Sequence, residues 1–267
     1  MEATFNLDHL LKEVIHISKE VGEFIRKEAE NFDRSLTEYK GVSNMVSYVD
    51  KEAERRIVHH LTELLPQAGV IAEEGTGKRK VGGLNWIVDP LDGTTNFIHG
   101  LPIFCTSIAL VQDETPLLGV VYEVNLKECF YAVKGGGAWL NGKRIHVSPV
   151  NQLADSLIAT GFPYSHLDRM PEYMKLLTDF IYKSHGFRRI GSAAVDLAYV
   201  ACGRFEAFYE HNLNAWDVAA GALIVTEAGG QVSNFRNEQD YMFSGQILAS
   251  GHIHEEMLEV LAPYFNK

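Results

Sequence analysis

Trp86-Ile87-Val88-Asp89-Pro90-Leu91-Asp92-Gly93-Thr94-Thr95-Asn96 is the stretch on which the reading of this chain turns. The apolar run Trp86 to Val88 predicts a buried strand that delivers two carboxylates three residues apart, with Pro90 between them. Proline fixes φ and withholds an N–H, so the ladder is expected to end there, leaving Asp89 and Asp92 on a tight turn. Gly93 permits a sharp turn or a close approach to a ligand. Thr94 or Thr95 then opens a helix, whose first N–H groups form an anion site. Hard oxygen ligands beside an anion site are what Mg²⁺-assisted phosphate chemistry requires. The same Asp-Pro-x-Asp-Gly sequence also makes a sound turn with no function.

Two further acidic stretches bear on the choice. Val70-Ile71-Ala72-Glu73-Glu74-Gly75 is again a short apolar strand ending in acids and glycine, although both glutamates could equally be solvated loop acids. Asn214-Ala215-Trp216-Asp217 precedes a small-residue helix that Gly229-Gly230 terminates, and Asp217 is also a good N-cap. Three carboxylate clusters at strand ends or helix starts point to one site, because ligand sites in open α/β sheets gather at strand ends.

The chain has 267 residues, 46% hydrophobic and 22% charged, which is ordinary globular usage and enough for a large core. A formal charge of −11 argues against broad electrostatic affinity for nucleic acid or an anionic membrane. Phosphate substrates are also anions, and bound divalent cations held by clustered carboxylates would invert that local field. Cys105, Cys129 and Cys202 form no metal pattern and are expected to be core residues. No basic-then-apolar leader and no run of membrane-spanning length is present, so a reducing cytoplasm is the expected setting.

Helical spacing covers about residues 7–30 and 47–65, the second ending before Pro66. Strands are expected near 70–72, 86–88, 103–112, 117–124 and 128–133, as a mostly antiparallel sheet. Beyond residue 150 the pattern alternates. Strands fall at 157–160, 187–190, 205–209 and 247–250, and helices at 171–183, 193–201, 215–228 and 254–264. This order predicts a layered α/β protein, one compact unit of two parts, 1–150 and 151–267. Gly137 to Arg144 nearly spells a P-loop, but Arg144 replaces the hydroxyl residue that ligates Mg²⁺. Asn141-Gly142 between apolar runs predicts a type I′ hairpin there instead. His59-His60 and His252-x-His254 match no zinc signature and are expected at the surface or at caps, and no G-x-S-x-G elbow appears.

Asp89-Pro90-Leu91-Asp92-Gly93-Thr94-Thr95, Glu73-Glu74 and Trp216-Asp217-x-Ala219-x-Gly221 together resemble the inositol monophosphatase family of Mg²⁺-dependent, lithium-sensitive phosphatases, and the likeness runs nearly end to end. The resemblance implies an αβαβα sandwich of alternating helix and sheet layers, with the site between the two parts, and a homodimer. It implies two to three Mg²⁺ ions. Glu73, Asp89 and the Leu91 carbonyl would hold one, Asp89, Asp92 and Asp217 a second, and Glu73 would help hold a weaker third. The Gly93 and Thr94 amides, with Thr95, would hold the phosphate. Thr94 paired with Asp50 would position and help deprotonate the attacking water, with Glu73 as a further catalytic group; Asp50 also suits the helix dipole as a first-turn acid.

Ser192, Ala193, Glu210 and Asp217 match positions that line the sugar-ring pocket, and Lys40 a basic position near its entrance. Ser192 also reads as an N-cap, Glu210 as a solvent-facing acid and Lys40 as a surface charge. The implied reaction is hydrolysis of inositol monophosphate or another small polyol phosphate. Relatives that hydrolyse fructose 1,6-bisphosphate or histidinol phosphate, and bacterial relatives that act in transcription complexes, are the alternatives.

Overall fold

The computed structural model describes residues 5–39, 45–162 and 169–265. Helix α1 (Leu7–Ala29) follows the predicted spacing, and the Asn6 side chain caps it by accepting from the N–H groups of Asp8 and His9. A two-residue ladder, β1 (Glu38–Tyr39) with β2 (Met45–Val46), precedes α2 (Tyr48–Leu64), and neither short strand was legible in the sequence. Seven strands form the first sheet in sequence order: β3 (Gly69–Ala72), β4 (Leu84–Asp92), β5 (Cys105–Gln112), β6 (Thr115–Glu123), β7 (Glu128–Val133), β8 (Ala138–Leu140) and β9 (Lys143–Ile145). Only the β3–β4 pair is parallel. Helix α3 (Thr94–His99) leaves the end of β4.

The second sheet is mixed. It contains β10 (Leu157–Thr160), β11 (Gly186–Arg188), β12 (Ala207–His211), β13 (Gln231–Ser233) and β14 (Gln246–Ser250), in the order β11-β10-β12-β14-β13. Between and around these strands run α4 (Met170–Lys183), α5 (Ala193–Ala201), α6 (Ala215–Glu227), the single turn α7 (Tyr241–Ser244) and α8 (His254–Phe265).

Packing resolves these elements into five layers: α1 and α2, the seven-stranded sheet, α5 and α6, the five-stranded sheet, then α4 and α8. The αβαβα sandwich therefore stands. Each helix layer seals one apolar core. Ile17, Val21 and Ile57 meet Trp86 and Val120 in the first; Leu197, Ala220 and Ile224 meet Val121 and Phe208 in the second; Leu176, Phe180 and Met257 meet Tyr209 in the third. Helices α5 and α6 are mostly apolar around their circumference because sheets cover both their faces. A Cβ on Gly119 would stand 2.8 Å from the Ala220 carbonyl, so this glycine lets α6 lie directly on β6. Among the described residues, no helix is long and apolar enough to cross a membrane.

Three expectations need correction. Pro90 does not end β4. The strand continues to Asp92 past an irregularity in its pairing with β5, a bulge in which the missing N–H costs no ladder bond. The strand carrying Glu210 lies two residues later than predicted, because pairing with β14 runs from Ala207 to His211 and Glu210 sits opposite Ile247. His254 is not a surface residue. It is buried, its Nδ1 2.8 Å from Ser250 Oγ and its Nε2 3.0 Å from Ser233 Oγ, and burial pushes its pKa down to about 4. The hairpin formed as expected, with Asn141 and Gly142 both at positive φ. Cys105 and Cys129 are buried and Cys202 is partly so.

Candidate active site

Helix α2 begins at Ser47, whose hydroxyl accepts from the Val49 N–H, and Asp50 in its first turn completes a capping box. One Asp50 oxygen accepts from the Ser47 N–H at 2.8 Å and from the Ser47 hydroxyl at 2.5 Å. The other accepts from the Thr94 hydroxyl at 2.8 Å. Asp50 is thus a buried carboxylate wrapped in donors; desolvation raises its pKa while the Ser47 and Thr94 hydrogen bonds oppose that rise. Thr94 Oγ1 also lies 3.0 Å from the Leu91 carbonyl oxygen. Of the two threonines it is Thr94 that opens α3, after Gly93 at φ 96°, where a Cβ would press to 2.9 Å on the Ile103 carbonyl.

Asp89 is buried on β4, and its Oδ1 accepts from the Leu91 N–H at 3.0 Å, the Asx geometry expected of the turn sequence. Burial is the largest influence on its carboxyl; the charges of Glu73, Asp92 and Asp217 push its pKa further up. Four carboxylates therefore face one another across β3, β4 and α6. Glu73 follows β3, and the loop after it is held from below by Glu54 of α2. The buried Glu54 carboxylate accepts from the Glu74 N–H at 2.6 Å and from the N–H and hydroxyl of Thr76 at 2.9 and 2.7 Å.

Asp92 joins the first sheet to α5. Its Oδ2 accepts from the Ser192 hydroxyl and the Ala194 N–H, each at 2.7 Å, at the start of α5. Ser192 is also the N-cap of that helix, so the capping reading and the site reading meet in one side chain. Ala193, next to it, is buried. Asp217 is the third residue of α6, and the N-cap is Asn214, whose N–H donates to Asp217 Oδ2 at 2.6 Å. Burial, then the charge of Asp92, lifts the Asp217 carboxyl, and Glu210 adds to the rise. Glu210 is 8% exposed, and burial pushes its pKa up to about 8 against the opposing charge of Arg189. The chain turns back at Asn212, at φ 69°, which brings Glu210 and Asp217 to one cleft.

The donor set offered by Glu73, Asp89, Asp92, Asp217 and the Leu91 carbonyl is all oxygen, and its like charges call for a counter-charge. This suits a hard divalent cation. Among the described residues no three His, Cys, Asp or Glu side chains already hold the arrangement of a closed ion site. The fit is one of donor chemistry and mutual charge, with side-chain rotation left to close it.

The model of the inositol monophosphatase family matches residues 6–267. The chain belongs to the inositol monophosphatase family. It is 41% identical to the Nus factor SuhB of Vibrio cholerae over 90% of this chain and 91% of that protein. It is 36% identical to the inositol-1-monophosphatase of Mesorhizobium japonicum, over 93% and 94% of the two chains. The crystal structure of the extragenic suppressor protein SuhB from Bartonella henselae superposes with a TM-score of 0.89 at 37% identity, covering 95% of this chain and 98% of that one.

Thr95 is half-buried in the first turn of α3, beside Thr94, and Lys40 lies outside the described residues. Two residues of the site region were missed. Glu54 lies one helical turn after Asp50, a spacing that could have flagged it. Asp196 is the one charge in the otherwise apolar α5; it is buried with Oδ1 unpaired, and burial followed by the charges of Glu210 and Asp92 raises its pKa.

Proposed function

We propose that this protein is a Mg²⁺-dependent phosphomonoester hydrolase that converts inositol monophosphate to inositol and phosphate. The observation that carries the reading is the facing set Glu73, Asp89, Asp92 and Asp217 beside the Thr94–Asp50 hydrogen bond. Family membership supports the phosphatase chemistry, and the name of the Mesorhizobium relative supports the substrate. Glu73, Asp89 and the Leu91 carbonyl would hold one ion, Asp89, Asp92 and Asp217 a second, and Glu73 would share in a third. When bound, Mg²⁺ neutralises phosphate oxygens and makes water a better nucleophile at neutral pH.

The chain's own groups supply the rest. The Thr94 hydroxyl points its hydrogen at Asp50, which leaves its lone pairs to accept from the attacking water. As the attacking water passes a proton to Thr94 Oγ1, Thr94 passes its own to Asp50, and burial makes that carboxylate a stronger base than a solvated one. The Gly93 and Thr94 amides at the start of α3, with the Thr95 side, orient the phosphate. Ser192, Ala193 and Glu210 receive the ring, and Glu210 accepts from its hydroxyls. A homodimer in the cytoplasm is the setting proposed for this activity.

Phosphate release is the test, measured on inositol 1-phosphate, fructose 1,6-bisphosphate, histidinol phosphate and NADP. Turnover should be fastest in kcat/KM on inositol 1-phosphate, vanish with EDTA and return with Mg²⁺. Undiminished turnover in excess chelator would overturn the metal chemistry, and a better kcat/KM on another substrate would reassign the pocket. The Vibrio relative's name, Nus factor SuhB, favours a second reading as a transcription-complex partner. Enrichment of polymerase components on the immobilised protein would support it.

A further inference from the structure

Gly161 follows β10 at the point where that strand runs parallel to β12, with Thr160 opposite Tyr209. The next pair along is therefore Gly161 and Glu210. A Cβ placed on Gly161 would fall well inside contact distance of Cδ, Oε1 and Oε2 of Glu210, so the whole carboxylate occupies the space that a side chain at 161 would take. Backbone conformation does not explain the glycine, because Gly161 is not among the residues at positive φ. Space is the remaining reason for it.

The strand end cannot retreat to make that space. The Thr160 hydroxyl donates to the Tyr209 carbonyl at 2.7 Å, across to β12. From α4, the Tyr173 hydroxyl donates to the Gly161 carbonyl at 2.9 Å and stands 2.7 Å from Thr160 Oγ1. Tyr173 and Thr160 are both buried. The Glu210 charge also acts on Asp196 and Asp217. The Arg189 charge acts on Glu210, whose carboxylate lies in the space over Gly161.

We propose that Gly161 is a specificity-determining position, which by lacking a side chain gives the Glu210 carboxylate the seat from which it accepts hydroxyls of a polyol leaving group. Gly161 touches no reacting atom; it is a positioning residue acting through Glu210. The inference rests on the proposed role of Glu210 in receiving a polyol. Because a Cβ at 161 would meet the far end of a flexible side chain, Gly161→Ala should displace the acid while leaving the fold in place.

The experiment measures kcat/KM on inositol 1-phosphate and on a simple aryl phosphate without hydroxyls, for wild type, Gly161→Ala, Glu210→Ala and the double variant. The ratio of the two values reads out discrimination, which a merely structural role would leave unmoved. Losing a hydrogen bond to a charged group should lower that ratio by about tenfold or more in each single variant. The double variant should match the single ones, because an absent carboxylate cannot be displaced. A lowered ratio in Glu210→Ala beside an unchanged ratio in Gly161→Ala overturns the proposal alone, as do losses that multiply in full. An unchanged ratio in Glu210→Ala overturns the polyol reading of Glu210, and this proposal with it.

Discussion

Asp50 and Asp89 are both buried aspartates beside the same cleft, but their surroundings are opposite. Asp50 accepts three hydrogen bonds, from the Ser47 N–H, the Ser47 hydroxyl and the Thr94 hydroxyl. Asp89 accepts from Leu91, shares a side-chain hydrogen bond with Glu73, and looks onto Asp92 and Asp217. Glu54 sides with Asp50, since three donors of the 74–76 loop fill its carboxylate. Glu210 falls between the two, with the opposite charges of Asp92 and Arg189 both acting on it. A buried carboxylate surrounded by donors is an anchor, whose partners offset its desolvation. One surrounded by other carboxylates is a cost to the fold that a cation or a substrate can relieve.

The comparison is broken most directly at Asp89. Asp89→Asn should lower kcat/KM by about 10³-fold, the scale of losing a preorganised electrostatic contact. In EDTA the same variant should melt higher than wild type, by about 2–4 °C for each 1 kcal/mol of repulsion relieved. A lower melting point in EDTA would mean that Asp89 is an anchor after all. Thr94→Ala should lower kcat by about 10²-fold with little change in KM, the lower end for a proton-transfer residue because Asp50 remains in place. Thr94→Ser should keep most of the rate, and near-normal kcat in Thr94→Ala would remove the proton path. Glu54→Gln tests the other class. It sets an NH₂ against N–H donors and should destabilise the protein by about 1–3 kcal/mol in denaturant unfolding. An unchanged midpoint would deny it the anchoring role.

The smallest effect is in pH. Asp89, Asp217 and Glu210 are all raised, Glu210 to about 8, so the folded protein retains protons that the unfolded chain releases near pH 4. A group whose folded pKa is raised in this way costs stability as pH climbs from about 4 toward 8, since the unfolded state binds fewer protons over that window. On the proposed function Mg²⁺ would take the place of the protons, and its gain in Tm should be a few degrees larger at pH 8 than at pH 6. Equal gains at both pH values would separate cation binding from these carboxylates.

Much of this was legible in the sequence because it is local. The helical spacing of α1 and α2, the Asn141-Gly142 hairpin and the acids at the end of β4 are all set by neighbours along the chain. What escaped is set by partners far away. Nothing near Pro90 announces that β5 will carry the pairing past it to Asp92. Ser233 and Ser250 come to His254 only once β13 and β14 pair, so its burial could not be read from its own stretch. Glu54 and Asp196 were passed over for related reasons, as their importance depends on a loop and a strand that fold against them.

Asp92 bears on how such an enzyme changes over generations. Its Oδ2 fastens the first turn of α5 through Ser192 and Ala194, and its charge acts on Asp89 and Asp217. On the proposed function, a mutation there would strike chemistry and architecture in one step. Gly161 and Glu210 sit at the ends of β10 and β12, and under the proposed roles a change there would alter which alcohol is welcomed while the carboxylate centre stands. On that reading the layout would separate what must be inherited intact from what can be tried anew, with the route to new leaving groups running through the second sheet.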